Sequence, residues 1–204
     1  MNMEFFGAPG PDLWIRIRGR TIGSIVCFGF GAYSLYCWIV ATMSQKAAWL
    51  SMIAAVTAVL VIWAIVQLVA MRHAPRPTLN KQSKWAYNLK FFAVVATEVA
   101  AIILGGPILA YFHRSDLYPN WVNAVVGIHF LPLGRLFKVP LYYVTGLAIT
   151  LAAFGSLLIS QNSLRAGVCS GGAGLVLWLT GGLILYANLS CLPTKNVVKA
   201  VEPL

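Results

Sequence analysis

The stretch Leu117-Tyr118-Pro119-Asn120-Trp121-Val122-Asn123-Ala124-Val125-Val126-Gly127-Ile128-His129-Phe130-Leu131-Pro132-Leu133-Gly134 decides how often this chain crosses a membrane. At 1.5 Å per residue it reaches about 27 Å as a helix, just enough for a hydrocarbon core of about 30 Å. Two prolines, two asparagines and a histidine make it the least apolar candidate in the chain. It reads either as a crossing helix or as a re-entrant half-helix.

Charge placement on either side decides between the two. Five other stretches are long and apolar enough to span: 21–43, 47–71, 91–112, 139–160 and 166–192. With 117–134 as a sixth, one side collects Arg16, Arg18, Arg20, Arg72, Arg76, Lys81, Lys84, Lys90, Arg135, Lys138, Lys195 and Lys199. The other side keeps only Lys46, Arg114 and Arg165. A re-entrant fourth segment would weaken this split to 9 against 6. The positive-inside rule therefore selects six spans with both termini cytoplasmic.

Composition supports the same class. Of 204 residues, 59% are hydrophobic and 10% charged, and the mean hydropathy is +0.78. A soluble domain carries about a quarter charged residues. These values exclude a nucleic-acid binder, a soluble enzyme and a secreted disulfide scaffold. The expected architecture is all-α: a polytopic membrane helical bundle whose fourth helix is short and proline-broken. The expected layout is a cytoplasmic segment 1–20, a membrane domain 21–192 and a cytoplasmic tail 193–204. No secretory signal is expected at the start, because the first apolar stretch is too long for one. A plasma or bacterial inner membrane is the expected location. The net charge of +10 then labels the cytosolic face, where it meets anionic headgroups of the lipid bilayer.

Glu98 is the one acidic residue inside any span. A charge at mid-membrane costs about 2.5–3.5 kcal/mol on insertion scales, so it requires a partner in the bundle interior. Counting along the helices puts Glu98 about 10 Å and His129 about 8 Å from the cytosolic edge. Gln67, Cys27, Tyr142, Tyr143 and Asn188 fall in the same half, and the outer half reads as almost wholly apolar. Pro132 withdraws an N–H from the carbonyl of Ile128, which predicts a break beside His129. Gly105-Gly106-Pro107 offers a second break toward the external side of the third span, and a proline kink with a packing glycine is the commoner cause of both features. Small-residue rows such as Gly23/Cys27/Gly31, Gly167/Gly171 and the run Ser170–Gly174 predict close helix approach.

The pair of motifs Gly127-Ile128-His129-Phe130-Leu131-Pro132-Leu133 and Tyr142-Tyr143-Val144-Thr145-Gly146 resembles a group of bacterial multi-pass membrane proteins. The likeness covers about residues 120–146. It implies a small helical bundle and brings no activity with it.

Candidate proton- or ligand-binding residues are Glu98, His129, Gln67, Tyr142 and Tyr143. No cofactor is expected. A metal site is the least favoured option, with Cys27, Glu98 and His129 as its ligands. No H-E-x-x-H, nucleophile elbow or phosphate loop occurs in the sequence. Three readings remain open: a small carrier or permeation module sharing a proton between Glu98 and His129, a membrane-embedded enzyme on a lipid or other apolar substrate, and a scaffold or accessory subunit. A homodimer suits a carrier with only six spans.

Overall fold

The glycine-rich face of the last helix organises the bundle. A computed structural model describes residues 13–43, 46–71 and 81–189, with side-chain surroundings from residues 17 and 88 onward in the first and third stretches. The expected tail 193–204, most of the N-terminal segment and the basic residues Arg72 and Arg76 lie outside the described residues. Among the described residues six α-helices run as α1 (Leu13–Thr42), α2 (Lys46–Ala70), α3 (Lys81–Tyr111), α4 (Tyr118–Phe137), α5 (Leu141–Gly155) and α6 (Asn162–Leu189). Short 3-10 turns at Ser115–Leu117 and Ser156–Leu158 lead into α4 and out of α5. There is no strand among the described residues.

Lateral packing follows the order α2, α1, α6, α5, α4, α3, with α4 also touching α6. The α1–α6 interface is the most extensive. Along it Gly167 faces Thr42 and Trp38, Gly171 faces Trp38, Gly174 faces Gly31 and Leu35, and Gly181 faces Phe28. Lipid tails are as apolar as leucine, so close packing of this kind holds membrane helices together. The expected small-residue rows are put to that use. A central core of Cys27, Phe130, Tyr142, Ile149, Ala173, Leu177 and Ile184 fills the space between α1, α4, α5 and α6.

Buried hydroxyls and amides add cross-links. The hydroxyls of Thr145 and Thr180 lie 2.7 Å apart between α5 and α6, and the Asn188 amide donates to Thr21 Oγ1 at 3.1 Å between α6 and α1. The Gln67 amide donates to the carbonyl of Leu185 at 2.9 Å, fastening α2 to α6.

Five of the six helices are long and apolar enough to cross a membrane, and α4 is the exception. Its residues explain why. Asn120, Asn123, Gly127, Phe130 and Gly134 are buried at heptad spacing and face α5 and α6, so its polar groups are spent on neighbours rather than shown to lipid. At 20 residues it is about 30 Å long.

Two expectations fail here. The fourth helix is not proline-broken: it stays helical through Pro132. It also runs antiparallel to α5 along its whole length, with Asn120 near Ser156, Gly127 against Gly146 and Gly134 against Tyr143. Packing on that side holds the segment in helix where proline removes one hydrogen bond. The third helix likewise continues through Gly105-Gly106-Pro107. What reads in sequence as a break is a socket, described next.

Candidate functional site

The inner face of α3 carries Glu98, Ala101, Ile102 and Gly105, spaced i, i+3, i+4 and i+7. Such residues share one side of a helix. The facing stripe of α4 carries Tyr118, Trp121 and His129. Because the helices are antiparallel, low numbers on one meet high numbers on the other. The Trp121 indole N–H donates to the carbonyl of Ala101 at 2.9 Å, and Tyr118 donates to the carbonyl of Ile102 at 3.5 Å. At the third contact, His129 Nδ1 lies 3.3 Å from Glu98 Oε2. The imidazole also makes a backbone hydrogen bond at Val94, one turn before Glu98 on α3.

Gly105 is what lets these helices meet. A Cβ there would fall 2.0 Å from the Trp121 indole nitrogen, so the ring occupies the space the glycine leaves. We expect Gly105→Val to push the indole out and loosen α3, with a loss of about 1–3 kcal/mol, the usual range for overpacking. Unfolding in mixed detergent–SDS micelles measures it. Gly105→Val with Trp121→Ala should lose less than the two single changes together. Simple additivity would show that the socket does not couple them.

The pair is well shielded. The His129 side chain keeps 9% of its exposure and the Glu98 side chain 16%. At 1.5 Å per residue Glu98 lies about 15 Å along α3 from Asn88, and His129 about 12 Å along α4 from Phe137. Both are therefore well inside their helices. On the next face of α4, Phe130 turns into the core and packs edge-on against Tyr142, which meets Phe137, which in turn meets Phe91 of α3.

The other candidates stand elsewhere. Gln67 is on the far side of the bundle, bound to α6. Tyr142 is in the core, one aromatic ring removed from His129. Tyr143 points outward and covers Gly134. Cys27 is packed in the central core with Phe130 and Tyr142. The Cys27, Glu98 and His129 metal set is thus not assembled, and the described residues hold no group of three such ligands. The expected polar layer resolves into separate pairs at different positions around the bundle.

The expectation of an apolar outer half also fails. Near the start of α4, Asn120 donates to the Ala153 carbonyl at 2.8 Å and to Ser156 Oγ at 2.6 Å. Asn123 donates to the carbonyl of Pro119 at 3.0 Å and meets Cys169 Sγ at 3.2 Å. Arg165, counted in the sequence as a turn charge, is buried and paired with Asp116. One signal was available: Asp116 is the only acid among the turns at that end.

Comparison of the chain with protein-family models, with curated proteins and with solved structures yields no match. The site's own chemistry must therefore carry any functional reading.

Proposed function

We propose that this integral membrane protein is a small carrier or permeation module in which Glu98 and His129 bind and release a proton together. In this reading it lies in the plasma or inner membrane with both termini in the cytosol, as its basic residues favour. The 3.3 Å contact between the single in-span acid and a ring nitrogen carries the reading. Intramembrane ionisable residues mark proton and substrate pathways by default.

The physics of coupling follows from charge. With one shared proton the pair is neutral overall, whether written as carboxylate with imidazolium or as acid with imidazole. Adding a proton leaves a net positive charge in a low-dielectric surrounding, and removing one leaves a net negative charge. Both are costly there. A change in proton count must therefore be met by a bound solute of opposite charge or by a shift of the helices. Helix α3 packs mainly on α4, so it is the element with most freedom to move.

The experiment is proton flux into proteoliposomes loaded with a pH-sensitive dye. Glu98→Gln and His129→Ala should each lower the flux about tenfold or more, since positioned proton-transfer groups contribute at least that much. Flux undiminished in both variants would sink the proposal. A scaffold role is the second reading, favoured by one observation: the pair is one of three polar contacts along the α3–α4 seam. Under that reading the same variants weaken helix docking and no flux is seen in any form.

A further inference from the structure

A second polar cluster lies at the opposite end of the bundle from Arg20 and Lys138. It is enclosed by the first turns of α4 and α6 and the last turn of α5. Asp116 accepts from Arg114 Nε at 3.4 Å and from Arg165, whose same nitrogen also donates to Asn162 Oδ1 at 2.8 Å. One turn deeper are Asn120, Asn123, Ser156 and Cys169. Asp116 precedes Asn120 by four residues across the turn into α4, and Arg165 and Cys169 lie one turn apart on α6. We propose that Asp116 and Arg165 form the lid of a buried, water-fed polar chamber lined by Asn120, Asn123, Ser156 and Cys169.

Two buried atoms argue for a ligand inside. Asn120 is 6% exposed, yet its Oδ1 has no protein partner; Arg165 is 7% exposed, yet its Nε has none either. One is a free acceptor and the other a free donor. Water can satisfy each of them, and a polar site with several partners is where buried water is held. Leaving such groups bare in an apolar medium is unfavourable. The lid itself is the weak point, because the Asp116 side chain is 26% exposed and open to screening by salt. None of these contacts involves Glu98 or His129.

Cys169 is a natural reporter beneath the lid. In the full chain in detergent micelles, its modification by a charged methanethiosulfonate reagent is followed by mass spectrometry of the Cys169 peptide. Labelling should be slow in the native protein. Asp116→Asn should speed it about tenfold, the effect of losing a charge-assisted hydrogen bond, and Asp116→Glu should not. Raising salt from about 0.05 M to about 1 M should speed labelling of the native chain, with no substitution needed. Adding Asn120→Leu to Asp116→Asn should slow it again by drying the chamber. The lid is overturned if Asp116→Asn and high salt both leave the rate within about twofold of the native value. The water-fed chamber is overturned if neutral N-ethylmaleimide labels Cys169 of Asp116→Asn quickly while the charged reagent stays slow.

Discussion

Gly174→Val is expected to lower the unfolding free energy by about 3 kcal/mol, the upper end for overpacking, or somewhat more. The reason is reciprocity. A Cβ on Gly174 would fall 2.8 Å from the carbonyl oxygen of Gly31, and one on Gly31 would fall 3.0 Å from the carbonyl oxygen of Gly174. The Leu35 side chain adds a contact at 2.7 Å to Gly174. Two backbones meet here, so no flexible side chain can simply swing aside. The contact is also central to α1–α6, the seam on which α2 and α5 are mounted. Gly182→Val is the control, because nothing lies within 4 Å of a Cβ at Gly182 on the same helix. It carries the same change in helix propensity without the clash. Reversible unfolding in mixed micelles should separate the two variants clearly. If they lose the same stability, close α1–α6 approach is not what holds the bundle.

The seam illustrates what could be read in the amino-acid order. Glycines at 167, 171, 174 and 181 advertise a helix face with no side chains, and such a face needs a close neighbour. Which neighbour is another matter, since any of five helices could lie there. The same limit governs the polar residues. Counting along a helix places Glu98, His129, Gln67 and Tyr142 by depth, at 1.5 Å per residue. It does not say where around the bundle each helix stands. Depth was enough to match Glu98 with His129, because α3 and α4 are joined by a short turn and must be neighbours. It was misleading for Gln67, whose helix sits on the other side of α1 and α6.

Proline and glycine mislead for a related reason. Pro132 and Gly105-Gly106-Pro107 weaken a helix in isolation, and local rules predict breaks at both. Tertiary contacts overrule them: Trp121 fills the space at Gly105, and α5 lies against Gly127 and Gly134. Once α4 is accepted as a full helix, its heptad stripe from Asn120 to Gly134 becomes visible. That stripe also leaves His129 on a different face, toward α3. A basic residue at a helix start normally reads as solvent-facing, and Arg165 turns inward because it pairs with Asp116 of the turn before α4 and with Asn162.

Exchanging the partners should separate a proton site from a mere helix clasp. Glu98→Gln retains a side chain that can hydrogen-bond to the His129 ring, and polar contacts between membrane helices average only about 0.6 kcal/mol. Its loss of stability should therefore stay below about 1 kcal/mol. Its flux should fall about tenfold or more, because an amide cannot take up the proton. The exchanged protein, Glu98→His with His129→Glu, again holds one carboxyl and one imidazole at the same level of the same two helices. It retains one shareable proton and the same total charge. Flux should recover to within a few fold of the native rate, whereas each half of the exchange alone should stay low: one sets two imidazoles together and the other two carboxyls. Like groups at this separation cannot both ionise, so neither half keeps a neutral pair that holds one proton. A clasp makes a different demand. It needs donor and acceptor geometry at the seam but no change in proton count, so stability would fall and recover through the set while no flux is seen in any form. Independent movement of the two readouts is the signature of proton binding at Glu98 and His129.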